Sequence, residues 1–267
     1  MMKELNLAEI KQIQLNILKE VHDFCIKNNL RYYLGGGTLL GAVRHKGYIP
    51  WDDDIDIMMP RPDYLKLINE YKHSCNNYRV YSLETHSNYY YPFAKLSDEN
   101  TILKEYSNSS FEMGINIDIF PLDGLPTDIK ESNEHLKKIF RFRKIFTLKS
   151  IKSSKTRGWF KELILLVSRS LLSVYSIKYL LNKISTISQK YDFETSDFIA
   201  CTVGGYGYKE RCRKEIYAKT VLLEFEKENF CSIAGYKEYL ENLFGDYLQL
   251  PPAEKRISHH KYQAFLK

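Results

Sequence analysis

Apolar residues recur at Ile10, Ile13, Ile17, Val21 and Phe24 or Cys25, the spacing of one helix face, which predicts a helix from about residue 7 to residue 28. Asn6 and Glu9 stand at the two positions of a capping box, and Asn28-Asn29 supplies a stop. "LRYYLGG" then reads as a short strand running into a glycine turn, and "TLLGAVRHK" as a brief helix ended by Gly47. In "IPWDDDIDIMM" the period falls to two. A second strand is predicted there, with Asp52, Asp54 and Asp56 on one face, Ile55 and Ile57 on the other, and Asp53 off the acidic face. "RPDYLKLINEYKH" returns to helical spacing, while "NYYYPFAKLSD" and "NTILKEY" suggest further short strands. "GINIDIFPLDG" alternates again, with Ile115, Ile117 and Ile119 on one side and Asn116, Asp118 and Phe120 on the other.

From about residue 128 to 192 the pattern is helical. Within it, "LILLVSRSLLSVYSIKYLL" is interrupted by Arg169 and Lys178, which counts against a membrane span. Arg169, Ser173 and Ser176 recur at helical spacing, so the segment reads as amphipathic. Such a helix either packs on its own domain or lies in a membrane interface, and periodicity does not separate the two. The C-terminal stretch "GYKEYLENLFGDYLQLPPAEKRISHH" gives one helix, then a Gly- and Pro-punctuated loop that ends in a basic and histidine-rich cluster.

The expected fold class is α/β, of the α+β kind: a small mixed β-sheet flanked by helices, with a helical insertion. The expected organisation is a single domain over 1–267, made of a catalytic core at 1–127, a basic and amphipathic insertion at 128–192, and a C-terminal part at 193–267 that completes the site. At 44% apolar and 27% charged residues, the 267-residue chain is ordinary for a globular protein and long enough to bury a core without staples. Five cysteines with no C-x-x-C pair fit neither a disulfide framework nor a zinc site. The start lacks the apolar core of a secretion signal, so a cytoplasmic location is expected. The net charge of +6 is unevenly spread, because residues 135–161 hold ten Lys or Arg and no Asp or Glu. That stretch lacks regularly interleaved aromatics and any accompanying nucleic-acid motif, which argues against nucleic acid as a partner.

The candidate chemistry lies in the four aspartates packed into residues 52–56. Carboxylates gathered on one strand face repel each other unless they are solvated or share a cation. An exposed acidic turn is the simple alternative. Trp51, Ile55, Ile57, Met58 and Met59 flank the run and call for burial, where an unpaired carboxylate is costly. Mg²⁺, or Mn²⁺ in its place, takes hard oxygen ligands and leaves coordination positions for substrate phosphate. Asp54, Asp56 and Asp118 are the expected catalytic and metal-binding carboxylates, with Asp52 a fourth ligand at the strand entrance. Upstream, Gly35-Gly36-Gly37-Thr38 offers backbone N–H groups and a helix start to phosphate oxygens, and Arg44, His45 and Lys46 offer neutralising charge. Glycine turn, short helix, then Asp-x-Asp is the pattern of nucleotidyltransferase folds.

"GGGTLLGAVRHKGYIPWDDDIDIMMPRPDY", "INIDIFPLDG" and the C-terminal "GYKEYL…FGDYLQLPP…KR…HH" resemble the LicD family of phosphocholine transferases, relatives of fukutin and fukutin-related protein. The likeness spans most of the chain and is weakest in the helical insertion. It implies a nucleotidyltransferase-like fold, a divalent cation, and Mg²⁺-dependent transfer of phosphocholine from CDP-choline, or a similar CDP-alcohol, to a lipid-linked glycan acceptor with release of CMP. The acceptors implied are teichoic acid or lipopolysaccharide precursors. It also implies substrate-binding positions at Gly36, Gly37, Thr38, Arg44, His45, Trp51, Lys95, Arg256 and His259. Choline's trimethylammonium calls for an aromatic wall, for which Trp51, Tyr48 and the tyrosines at 89–91 are candidates. Acceptors of this class would draw the basic, amphipathic insertion into peripheral contact with the inner face of the membrane. Two competing readings are a relative that transfers another phosphoalcohol or phosphosugar to a capsule precursor, and a non-catalytic glycan- or membrane-binding scaffold.

Overall fold

The computed structural model describes residues 2–71, 77–105, 111–151, 158–257 and 262–267. After a short strand β1 (Lys3–Glu4) comes α1 (Leu7–Lys27). The capping box forms as the sequence predicts: Glu9 N donates to the Asn6 side chain at 3.0 Å and Asn6 N to the Glu9 carboxylate at 2.9 Å. Ile17, Leu18, Val21 and Cys25 form the helix's fully buried stripe, where truncation of one large side chain to alanine costs ~2–5 kcal/mol.

β2 (Tyr33–Leu34) leads into α2 (Gly36–His45), which is followed by β3 (Asp56–Pro60), α3 (Arg61–Glu70), β4 (Tyr78–Tyr81), β5 (Ala94–Asp98), β6 (Thr101–Glu105) and β7 (Asn116–Leu125). Three helices come next: α4 (Ile129–Ser150), α5 (Trp159–Leu171) and α6 (Ile177–Ser188). The chain then forms β8 (Phe198–Ala200), β9 (Cys212–Arg213), the hairpin β10 (Thr220–Phe225) and β11 (Glu228–Ile233), α7 (Tyr236–Phe244), and β12 (Tyr262–Leu266).

The main sheet runs β2-β3-β7-β5-β4, with β8 and β9 continuing from the far half of β7. β3 and β7 pair in parallel, and their neighbours pair antiparallel, so the protein is a mixed α/β fold. β12 bridges β1 and β6 in a second sheet. Ile55, Ile57, Ile117 and Ile119 point into the core, as the alternation predicts. The parallel register sets Asp56 opposite Asp118 at one end. At the other end Arg61 donates Nε and Nη2 to the two oxygens of Asp123, both at 2.7 Å, and the Thr202 hydroxyl donates to Asp123 at 3.1 Å. This buried bidentate pair bolts the β3–α3 turn to β7.

Three expectations need correction. The acidic run is not strand throughout. β3 begins only at Asp56, because β2 is two residues long and β7 first pairs at Asp118; upstream, Asp52 N bonds Ile49 O in a turn. α2 starts at Gly36, earlier than "TLLGAVRHK" suggests, and it closes on Lys46 in the left-handed region at φ 58° rather than on Gly47. Gly47 serves packing instead: a Cβ there would meet the Glu226 carboxylate at 2.1 Å. The apolar segment over 163–181 is two helices, split where the Ser176 side chain accepts from Tyr179 N and caps α6. Among the described residues no helix is long and apolar enough to cross a membrane. The stretch from Gly235 forms one α-helix, α7, and then a loop, as the sequence predicts, with the β10–β11 hairpin before it and β12 after it.

Candidate active site

The site begins where β2 turns into α2. Gly35 N donates to Asp56 O at 2.9 Å, and Asp56 N donates to the Thr38 hydroxyl at 2.8 Å. Gly36 takes φ +44°, and a Cβ on it would lie 3.5 Å from Asp56 Oδ2, while one on Gly37 would lie 2.8 Å from Asp52 Oδ2. Two carboxylates thus lean on the first turn of α2, whose free N–H groups carry the positive end of the helix dipole.

Asp52, Asp53 and Asp54 each offer an oxygen within 4.8 Å of the others, in a spacing that could hold a metal ion. Asp56 and Asp118 face each other across the adjoining ladder. Burial, then Asp54, Asp118 and Asp52, push the Asp56 carboxyl well above its ordinary range, against the opposing pull of Lys95. Lys95, on β5 opposite Asp118, donates its ammonium to the Asp118 carboxylate and to Asn116 Oδ1 at 3.0 Å. The same ammonium lies 4.8 Å from the Tyr91 ring centroid and 5.5 Å from that of Phe93. Lys11 of α1 also feels the charge of Asp52, Asp53 and Asp54, so carboxylates outnumber the two lysines and the cluster stays acidic.

The acidic loop is held from behind. The buried Gln14 side chain donates to Asp53 O at 3.0 Å, and the Tyr48 hydroxyl lies 3.1 Å from both Gln14 Oε1 and Lys11 O. Tyr262 on β12 donates to Asp53 O at 3.4 Å. Asp53, which strand alternation sets apart from the acidic face, therefore joins the cluster, because the loop has no alternation to keep it away.

Asp52 and Gly37 also line a cleft of about 790 Å³ whose walls include Arg44, Trp51, Tyr206, Phe244, Tyr247 and Arg256. Arg44 Nη1 donates to Tyr247 O at 2.8 Å and Gln249 O at 3.4 Å, and its Nε donates to His45 Nε2 at 3.0 Å. Burial and the Arg44 charge lower the His45 pKa, which suits a neutral ring accepting that bond. The His45 ring stands edge-on to Trp51 at 6.4 Å. The Arg256 guanidinium lies 5.7 Å from the Trp51 ring centroid, with Nε donating to Pro251 O at 2.8 Å. On the other side of the cluster, Asp53, Asp54, Asp118 and Lys95 line a smaller cavity of about 70 Å³.

The expected residues are therefore placed in two groups. Gly36, Gly37, Asp52, Asp54, Asp56, Asp118 and Lys95 meet at the acidic cluster, and Arg44, Trp51 and Arg256 line the cleft that opens from it. Thr38 is buried with its hydroxyl on Asp56 N, so it positions the turn. Tyr48 packs its ring on Phe225, Tyr89 is buried beside Tyr91 and Phe111, and Tyr90 packs on Phe146, which leaves Trp51 as the cleft-lining member of the proposed aromatic wall. His259 lies outside the described residues. Sequence reasoning passed over Tyr206. Its ring stands edge-on to Phe244 at 5.0 Å, and its phenol is shifted upward by burial and then by Asp56, Glu210, Asp52 and Asp54. The glycine-flanked "GGYGY" was the available signal.

Residues 29–157 match the family described as LicD/FKTN/FKRP, nucleotidyltransferase domain. The lipopolysaccharide cholinephosphotransferase LicD of Haemophilus influenzae is 33% identical over 275 aligned residues, which cover 99% of this chain and 100% of that protein. The human ribitol 5-phosphate transferase FKRP is 61% identical over 28 residues, 10% of this chain and 6% of its own. A likeness that runs end to end through both chains, well beyond the acidic motif, makes this protein a member of the LicD family.

Proposed function

We propose that the protein transfers phosphocholine from CDP-choline to a hydroxyl of a cell-surface glycan precursor, releasing CMP. The observation that carries this reading is the cluster of Asp52, Asp53, Asp54, Asp56 and Asp118 at the N-terminus of α2, open to a cleft with two arginines and an aromatic wall. Its support outside the site is the full-length likeness to a lipopolysaccharide cholinephosphotransferase.

The donor set consists of hard carboxylate oxygens, the ligands that Mg²⁺ or Mn²⁺ takes, and burial followed by the neighbouring carboxylates disfavours the charged form of Asp56. A bound divalent ion would neutralise charge on the diphosphate oxygens in transfer. Asp52, Asp54, Asp56 and Asp118 would hold that ion. The amides of Gly36 and Gly37 and the Arg44 and Arg256 guanidiniums would take the remaining phosphate oxygens and orient the donor. Trp51 and Tyr206 offer ring faces to a quaternary ammonium or to a base. The acceptor hydroxyl forms its new O–P bond at the choline-bearing phosphorus, the bond from that phosphorus to CMP breaks, and the hydroxyl proton passes to a carboxylate of the cluster. Lipid-linked acceptors and CDP-linked donors would meet at the cytoplasmic face of the membrane.

The motif shared with a ribitol 5-phosphate transferase favours one second reading, the same chemistry with another CDP-alcohol. Purified protein with Mg²⁺, a glycan acceptor and separate CDP-alcohols, followed by CMP release, decides between them. Turnover with CDP-choline and a loss of at least ~10²-fold in Asp54→Asn are expected. Release with CDP-ribitol or CDP-glycerol alone would replace choline in the proposal, and an undiminished Asp54→Asn rate would remove Asp54 from the site.

A further inference from the structure

α5 wears its apolar face outward. Trp159, Phe160, Leu163, Ile164, Leu166 and Leu171 are each 47–79% exposed, whereas Leu165 is 6% exposed. At 100° per residue these positions, together with Val167 at 50% exposed, share an arc of roughly 160°. The opposite side faces α4, where Arg169 Nε donates to Leu148 O at 3.4 Å and Lys149 Nζ to Leu172 O at 2.9 Å. A helix that packs on its own protein turns its apolar arc the other way. Beyond the helix end, Val174 is 79% exposed and enlarges the patch.

The charge around the patch is basic. Lys137, Arg141 and Lys144 of α4 are exposed and spaced by four and three residues, so they form one row along that helix. The next position on that face, four residues further, is Leu148, which Arg169 of α5 contacts, so the cationic row runs up to α5. Lys161 and Lys178 add exposed cations at either end of the patch. Self-pairing of this face would bring two such rows together, which like-charge repulsion opposes. An anionic surface satisfies both halves of the pattern. At thirteen residues α5 is also too short to span a bilayer.

We propose that α5 is an in-plane membrane-surface helix that seats its Trp159-to-Leu171 arc at the boundary between headgroups and acyl chains of an anionic bilayer, with the cations of α4 on the headgroups. This does not rest on the catalytic reading.

The test uses the full chain and two vesicle types, phosphatidylglycerol mixed with phosphatidylcholine, and phosphatidylcholine alone. With Trp51→Phe as background, Trp159 is the single tryptophan, since the chain has only two. Co-sedimentation with the anionic vesicles and a blue shift of Trp159 emission are expected. Replacing Lys137, Arg141 and Lys144 by glutamine should weaken partitioning about fivefold per charge, ~10²-fold together. These are exposed positions, so this variant keeps the test valid if an apolar one misfolds. Ile164→Ser with Leu166→Ser should abolish the blue shift with the helical circular dichroism retained. Absence of partitioning, or equal partitioning onto neutral vesicles, overturns the proposal. So does a lipid-free dimer with Trp159 already blue-shifted, since a second copy would then cover the face.

Discussion

Gly37→Ala separates the chemistry of the turn from its stability. The new methyl would stand 2.8 Å from Asp52 Oδ2, against an ordinary contact of 3.4 Å or more, so the carboxylate must retreat by about 0.6 Å. Since a displacement of ~1 Å at a reacting centre costs ~10²-fold in rate, a loss of about tenfold is expected in CMP release. Folding should respond in the opposite sense. Gly37 does not use the left-handed region, and alanine at a compatible glycine position stabilises by ~0.4–1 kcal/mol through the unfolded chain. For a protein of this size that corresponds to a rise of ~1–3 °C in Tm. The assay is a pair of measurements on one preparation, initial rate with saturating Mg²⁺ and a thermal melt. An unchanged rate would mean that Asp52 has no required position beneath the turn. A rate and a Tm that fall together would mean that the turn itself was damaged, and the steric account would fail.

Two further outcomes follow from buried charge. Arg61→Leu leaves Asp123 without its bidentate partner and should cost ~3–5 kcal/mol in urea unfolding, while Arg61→Leu with Asp123→Leu recovers most of it; rate per folded molecule should hold in both. Burial pushes the Glu210 carboxyl up to about 8, against the Tyr206 amide and Arg143. The folded chain then keeps a proton that the unfolded chain loses near pH ~4.3, so stability falls as pH rises from about 4 to about 8. Glu210→Gln should therefore raise Tm by an amount that is near zero at pH 4, grows to pH 8 and levels off above it. A constant difference across that range would refute the buried-proton account.

Local signals in the sequence carried the first helix, down to both bonds of its capping box, and the inward isoleucines of the two central strands. They also anticipated that Asp56 and Asp118 share a face, because alternation in each strand sets that face once the strands pair. What failed depended on partners distant in sequence. Where the acidic run stops being strand is set by where β2 and β7 offer hydrogen bonds, which no window around Asp52 reveals. Tyr206 reaches the site from a loop some 150 residues beyond the aspartates, and β12 brings Tyr262 to Asp53 from still further. Arg61 and Asp123 sit inside the two recognisable motifs yet serve the scaffold, so motif membership alone did not separate chemistry from support.

Asp56 is fastened to the glycine turn through both of its backbone groups, its carbonyl taking Gly35 N and its amide reaching Thr38. The turn and the carboxylate are thus a fixed jaw, with no hinge between them to widen the gap. Across the cleft, the Tyr247–Arg256 segment is held to the end of α2 by Arg44, which donates to the Tyr247 and Gln249 carbonyls. The guanidinium proposed to meet the donor phosphates is therefore also the tie between the two walls of the cleft.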